Sequence, residues 1–167
     1  MKSIHPSSPA YQPGRHLEVL DEPVHDPLRD AEKLSSPAVC TDCGAVYQAG
    51  HWEWTSAPSH ATQMRCPACR RIADGKPAAH VTITGPVAQQ HADDIARLVR
   101  DVEHREKTAH PLRRVMAIDA HGDETEVRTT DVHLAQDICD ALLDAYKGKM
   151  NVDYDEDEKL LRVKLIA

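Results

Sequence analysis

Four of the chain's five cysteines stand in two matched pairs, Cys40-Thr41-Asp42-Cys43 and Cys66-Pro67-Ala68-Cys69, with 22 residues between them. Two thiolates three positions apart in a tight turn can share one tetrahedral ion. A second such turn closes the site, with Zn–S near ~2.3 Å. Gly44, directly after the first pair, suits a backbone that must bend under a metal, and Pro67 stiffens the second turn. Cys40, Cys43, Cys66 and Cys69 are therefore the expected ligands of one zinc ion. With all four positions filled by protein, no place is left for water or substrate, so the ion is expected to be structural rather than hydrolytic. His51 and His60 find no vacancy in such a site.

Other uses of the same thiols are weighed against zinc. A disulfide framework is not expected: nothing at the N-terminus joins a basic start to an apolar stretch as a secretion signal would, and cytosolic thiols at this spacing more often hold metal. Iron is the minor alternative, because Cys43-Gly44-Ala45-Val46-Tyr47 is similar to the first knuckle of rubredoxin. Arg70 and Arg71, however, follow the second pair where rubredoxin carries a glycine and an apolar surface. Zinc is preferred. Cys139 stands apart, with no second cysteine or Cys-His motif nearby, and reads as a packed thiol.

The elements that must hold these ligands follow from composition and periodicity. The chain of 167 residues has room for one ordinary domain and a small metal-stapled module. It contains no Phe and only two Trp, so its core must be built from Val, Leu, Ile and Ala. No apolar run approaches the ~18 residues that span a bilayer, and a soluble, cytoplasmic protein is expected. The formal net charge of −7 argues against a general nucleic-acid coat, but residues 35–80 carry a net of +1 while 81–167 carry −6. A contact with phosphate would have to be local and made from the cysteine-bearing segment.

Residues 1–37 hold six of the 11 prolines and no apolar period, and read as a disordered or partner-ordered arm, with one short helical turn at Asp26 to Leu34. Residues 38–78 read as a four-cysteine zinc ribbon with a small hairpin of Val46-Tyr47 and Trp52-Trp54 about Gly50. Its aromatic rings are expected mainly to cover the metal site, since so small a module has little other core. Its functional surface is expected from Trp52, Trp54, Arg65, Arg70, Arg71 and Lys76, as rings that stack and cations that meet phosphate.

From Ala79 the pattern is regular. His80 to Thr84 alternates as a strand, and Gly85-Pro86 ends it. Ala88 to about Lys107 is a helix with Ala92, Ile95, Leu98, Val99 and Val102 on its buried stripe. Arg113 to Ile118 and Glu126 to Thr129 form a hairpin about His121-Gly122-Asp123. Thr130 or Asp131 caps a second helix with the stripe Leu134, Ala135, Ile138, Leu142 and Ala145, and Gly148 stops it. Asn151 to Tyr154 and Leu160 to Ile166 close the chain around an acidic turn. The expected fold class is α+β: the small zinc ribbon, then a ferredoxin-like split βαβ domain (βαββαββ) over 79–167.

No Gly-rich phosphate loop, G-x-S-x-G, H-E-x-x-H or Cys-His pairing occurs, so neither a nucleotide cofactor nor an enzyme is expected. The stretch Val39 to Tyr47 with Gly50 and Trp52 resembles the ribbon of bacterial proteins labelled "NMD protein affecting ribosome stability and mRNA decay". Pro111-Leu112-Arg113-Arg114-Val115-Met116, Thr129-Thr130-Asp131 with Leu134-Ala135, and Ala145-Tyr146-Lys147-Gly148 look like that family's C-terminal signatures, and the likeness runs from about Asp26 to the end. The family takes its label from a large-subunit export adaptor whose zinc domain binds the ribosome. The resemblance thus implies a ribosome or RNA partner and a role in ribosome stability or stress. Two further functions stand beside it: a protein–protein adaptor docking through the acidic C-terminal domain, and a thiol-based redox or metal sensor.

Overall fold

A computed structural model of the protein describes residues 34–167. The expected arm over 1–37, with its helical turn from Asp26, lies almost wholly outside the described residues. The rest is mixed α+β, with two sheets and four helices.

The first sheet belongs to the cysteine-bearing head. Strands β1 (Ala38–Cys40), β2 (Val46–Gln48), β3 (His51–Glu53) and β4 (Thr62–Met64) lie in the order β3-β2-β1-β4. The hairpin about Gly50 is present as β2 and β3, with Tyr47 opposite Trp52. The fourth strand runs parallel to β1 with Cys40 beside Met64, and it leads directly into helix α1 (Pro67–Asp74). The second cysteine pair thus opens a helix and does not sit in a free-standing turn. Pro67 favours this, because its fixed φ and missing N–H suit the first helical position.

The second sheet is five-stranded: β5 (Ala79–Thr84), β6 (Val115–His121), β7 (Glu124–Thr129), β8 (Lys149–Asp155) and β9 (Leu160–Ile166), ordered β6-β7-β5-β9-β8. Between them come α2 (Pro86–Gln90), α3 (Ala92–Ala109) and α4 (Val132–Tyr146). In a four-stranded split βαβ sheet the strand after the second helix lies beside the first strand. Here β8 lies one place further out, and β9 folds back antiparallel to it and enters parallel to β5. The apolar β9, Leu160-Leu161-Arg162-Val163-Lys164-Leu165, suits that inner place: its buried positions alternate with exposed Arg162 and Lys164, as an inner strand covered on one face requires.

Helices cover one face. In β5 the alternation puts Ala79, Val81 and Ile83 under them and leaves His80, Thr82 and Thr84 towards the open face. Against those residues pack Ile95, Val99 and Val102 of α3 and Leu134, Ala135, Ile138 and Leu142 of α4, an aliphatic core as a chain without Phe must have. The helix expected from Ala88 begins at Pro86 and is interrupted at His91. Asp131 is the cap of α4, its carboxylate accepting from the Leu134 amide at 3.0 Å. Ala145, expected on the buried stripe, is exposed, and Leu143 and Cys139 are buried in its stead. In the last turn it is Tyr146, one position on, that packs partly against the core. Gly148 lies just after the turn-ending Lys147, with φ of 147°, and a Cβ there would stand 2.6 Å from the Ile166 carbonyl oxygen. Only glycine lets the chain enter β8 so close to β9.

Candidate metal centre

The register of β1 and β4 brings the two cysteine pairs together. Thr41 N–H donates to the Met64 carbonyl at 2.9 Å, so the ends of the parallel strands, and with them Cys40 and Cys66, arrive side by side. The first pair sits in a knuckle closed by Cys40 N–H to Ala45 O (2.8 Å) and Gly44 N–H to Cys40 O (2.9 Å), with Gly44 at φ 80°. The second pair is the entry to α1. Cys66 is its N-cap, its sulfur accepting from the Cys69 amide at 3.4 Å, and the Cys66 amide donates to the Cys40 sulfur at 3.2 Å. Amides aimed at sulfur at a helix N-terminus stabilise thiolate over thiol.

All four Sγ atoms lie within 4.8 Å of one another. Tetrahedral coordination at ~2.3 Å requires sulfurs about 3.8 Å apart, and Cys43 and Cys66 are separated by 3.8 Å. A disulfide would bring two sulfurs to ~2.05 Å, and all five cysteines are free thiols. Cys40, Cys66 and Cys69 are buried and Cys43 is half-buried. The hydrogen bond between Cys43 and Cys66 is the first cause of both their shifts: it holds Cys43 well below the usual thiol range and pushes Cys66 up, with burial adding to the rise at Cys66. Burial also pushes Cys69 up. Crowded thiols of like charge split in this way, and a dication among them lets all four ionise and releases the protons. The donor set fits a soft or borderline ion such as zinc.

The four cysteines are enclosed by Ala45, Trp52 and Ala68, with Tyr47, Met64 and Leu112 packed partly against them. Trp52 is only 9% exposed and its ring stands 5.5 Å from that of Tyr47. Trp54 lies beyond the end of β3 and leaves the head's sheet. Its indole N–H donates to the Lys107 carbonyl near the end of α3 at 2.7 Å.

A residue that spacing did not single out completes the site. Arg114, just before β6, is 8% exposed and reaches across to the head. Its guanidinium donates to the Cys69 sulfur at 3.2 Å and stands 4.0 Å from that of Cys66. Another of its N–H groups is held by the Pro111 carbonyl at 2.9 Å, and its guanidinium carbon lies 5.9 Å from the centroid of the Trp54 ring. Burial alone would lower its pKa, but the sulfurs of Cys43 and Cys69 outweigh that and raise it, so it stays charged. A zinc ion held by four thiolates carries a formal charge of −2, and a buried guanidinium donating to its sulfurs offsets part of that charge. Nothing in the local sequence marks Arg114: its neighbour Arg113 pairs instead with Glu106 at 2.6 Å.

The remaining expected surface residues are spread out. Arg65 is paired with Asp42 at 2.7 Å on the rim of the first knuckle. Arg70 is half-buried on α1. Arg71 is 6% exposed, with its guanidinium donating to the Lys76 carbonyl at 3.2 Å, and Lys76 is exposed. Trp52 thus belongs to the lining of the cysteine cluster and Trp54 to its seam with α3, while Arg71 and Lys76 share a different place, the back of the head. Cys139 is buried in the aliphatic core, and burial pushes its thiol up, which leaves it inert at neutral pH.

No protein-family model, curated protein or solved structure matches the chain. Among the described residues no helix is long and apolar enough to cross a membrane.

Proposed function

We propose that the protein is a non-enzymatic, cytoplasmic zinc protein whose head is a four-cysteine zinc ribbon seated on a ferredoxin-like platform, and that it associates with RNA or the ribosome. The observation that carries the metal is the set of four sulfurs within 4.8 Å. Cys40, Cys43, Cys66 and Cys69 would hold the ion, and its chemistry is structural: with four protein ligands it fixes the knuckle and the start of α1 and offers no open position. For the partner, the support is the local surplus of cations on the head of an acidic chain, with Arg65, Arg70 and Lys76 at its surface, together with the resemblance to the ribosome-stability family. Of the other functions considered, docking of a protein on the acidic face has less support, since Asp119 and Glu126 on that face are engaged by Arg128 at 2.8 Å and His80 at 2.6 Å.

The test joins metal and partner. Purified protein should contain about one zinc per chain, and it should co-sediment with ribosomes in low salt and be lost as salt rises. Chelation should abolish both. Absence of transition metal rejects the zinc site, and failure of the metal-loaded protein to sediment with ribosomes or to bind RNA rejects the partner.

A further inference from the structure

Behind the head, where the end of α1 passes through Lys76 and Pro77 into β5, a cavity of about 600 Å³ opens between that linker and the β8–β9 turn. Its charge is unlike that of the rest of the molecule. Arg71, Lys76, Lys159 and Arg162 line it against one carboxylate, Glu158, in a chain of formal net charge −7. The cations come from both parts of the protein, two from the head and its linker and two from the terminal hairpin. Neither part alone makes the cavity. Leu160 and Pro77 supply apolar wall, and the volume falls in the ~300–1,000 Å³ range of ligand sites.

The cleft does not end there. A second depression of about 400 Å³ runs onto the uncovered face of the large sheet and shares His80 and Arg162 with the first. Lys164 continues the cationic row two residues along β9 from Arg162, on the same face, with Glu126 and Asp153 on the flanking strands completing the lining of this second depression. Arg162 is steadied by Glu158 at 2.5 Å, which uses one of its five donors and leaves others for an incoming anion. His80 is held by Glu126 at 2.6 Å and marks the join.

We propose that this trough binds the phosphate backbone of single-stranded RNA, with the head-side cleft as the main phosphate site and Lys76, Lys159 and Arg162 as its principal contacts. The inference rests on the RNA reading above and names where the strand lies. A strand fits better than a compact ligand because the cations follow a path from one depression into the next. The trough has no Phe, Tyr or Trp for bases to stack on, so binding should be carried by charge and show little base preference.

The experiment titrates the full, metal-loaded chain with a short labelled single-stranded oligoribonucleotide of mixed sequence, followed by anisotropy at several salt concentrations. The test variant carries Lys76→Gln, Lys159→Asn and Arg162→Gln; Asn is chosen because residue 159 has φ 53°, which Asn tolerates. A control variant loses as many cations from α3, on the helix-covered side: Arg97→Gln, Arg105→Gln and Lys107→Gln. The expected result is about tenfold weaker binding by the test variant, with the slope of log K on log salt reduced by about two, and no comparable change beyond that of net charge in the control. Equal losses in both variants, or no loss in the test variant while the wild type binds, overturn the trough and leave the RNA reading standing. No binding by the wild type overturns both. Binding of free adenosine monophosphate without binding of the strand also overturns the proposal, by making the cleft a small-molecule site.

Discussion

The head and the large sheet solve the same problem with different means. The sheet buries Val81, Ile83, Val99, Ile138, Leu142 and Leu165 between strands and helices, enough aliphatic surface for an independent core. The head buries little besides Val46, Trp52, three alanines and its own cysteines. Its strands are three residues each, too short to hold together by pairing alone. The lesson is that one half is held by apolar area while the other gathers four thiols that could hold an ion, so on the zinc reading the two halves should fail under different insults.

The largest break in this symmetry is expected from removing the ion or one ligand. Both Trp residues lie in the head or at its seam, so indole fluorescence reports the head while far-UV circular dichroism is dominated by the helices of the large domain. Chelation, or Cys66→Ser, should shift the fluorescence to that of exposed indole and leave most of the ellipticity. Loss of both signals together would show that the sheet has no stability of its own. The converse is Leu142→Ala, which opens a cavity in the aliphatic core and should cost about 2–5 kcal/mol in the thermal or urea unfolding of the large domain. Metal content per folded chain should stay near one. The smallest effect, and the one that sharpens the comparison most, is expected at Arg114, where the halves meet. Arg114→Gln should weaken zinc retention about 10–100-fold in competition with a chromophoric chelator, the range usual when a hydrogen-bonding neighbour of a metal ligand is removed. Unchanged retention would make Arg114 a packing residue only.

What could be read from the sequence follows the same division. The gathering of the four cysteines was legible because thiols at paired spacing have few other uses, and the stripes of α3 and α4 were legible because Ile95, Val99, Leu134 and Ile138 repeat at the helical period. Features that depend on contacts between distant segments were not. Arg114 meets Cys69 across 45 positions of chain, and nothing near it in sequence distinguishes it from Arg113. The pairing of β9 with β5 is set by which strand is apolar enough to lie inside, a competition between β8 and β9 that their own alternation does not decide. The cavity behind the head joins residues that no local pattern links, Arg71 and Lys76 from the head and its linker with Lys159 and Arg162 from the far end of the chain. Ala145 shows the limit of periodicity: the last turn of α4 puts Tyr146, not Ala145, against the core, and a stripe read by apolar type alone does not tell i+3 from i+4 there.

The seam anchored by Trp54 on the Lys107 carbonyl has a consequence for how this protein can change over time. That oxygen belongs to the last turn of a long helix, and each residue added to or taken from the helix would move it by about 1.5 Å and turn it by about 100°. The length of α3 therefore bears on where Trp54, and with it the edge of the cysteine-bearing head, can find its partner.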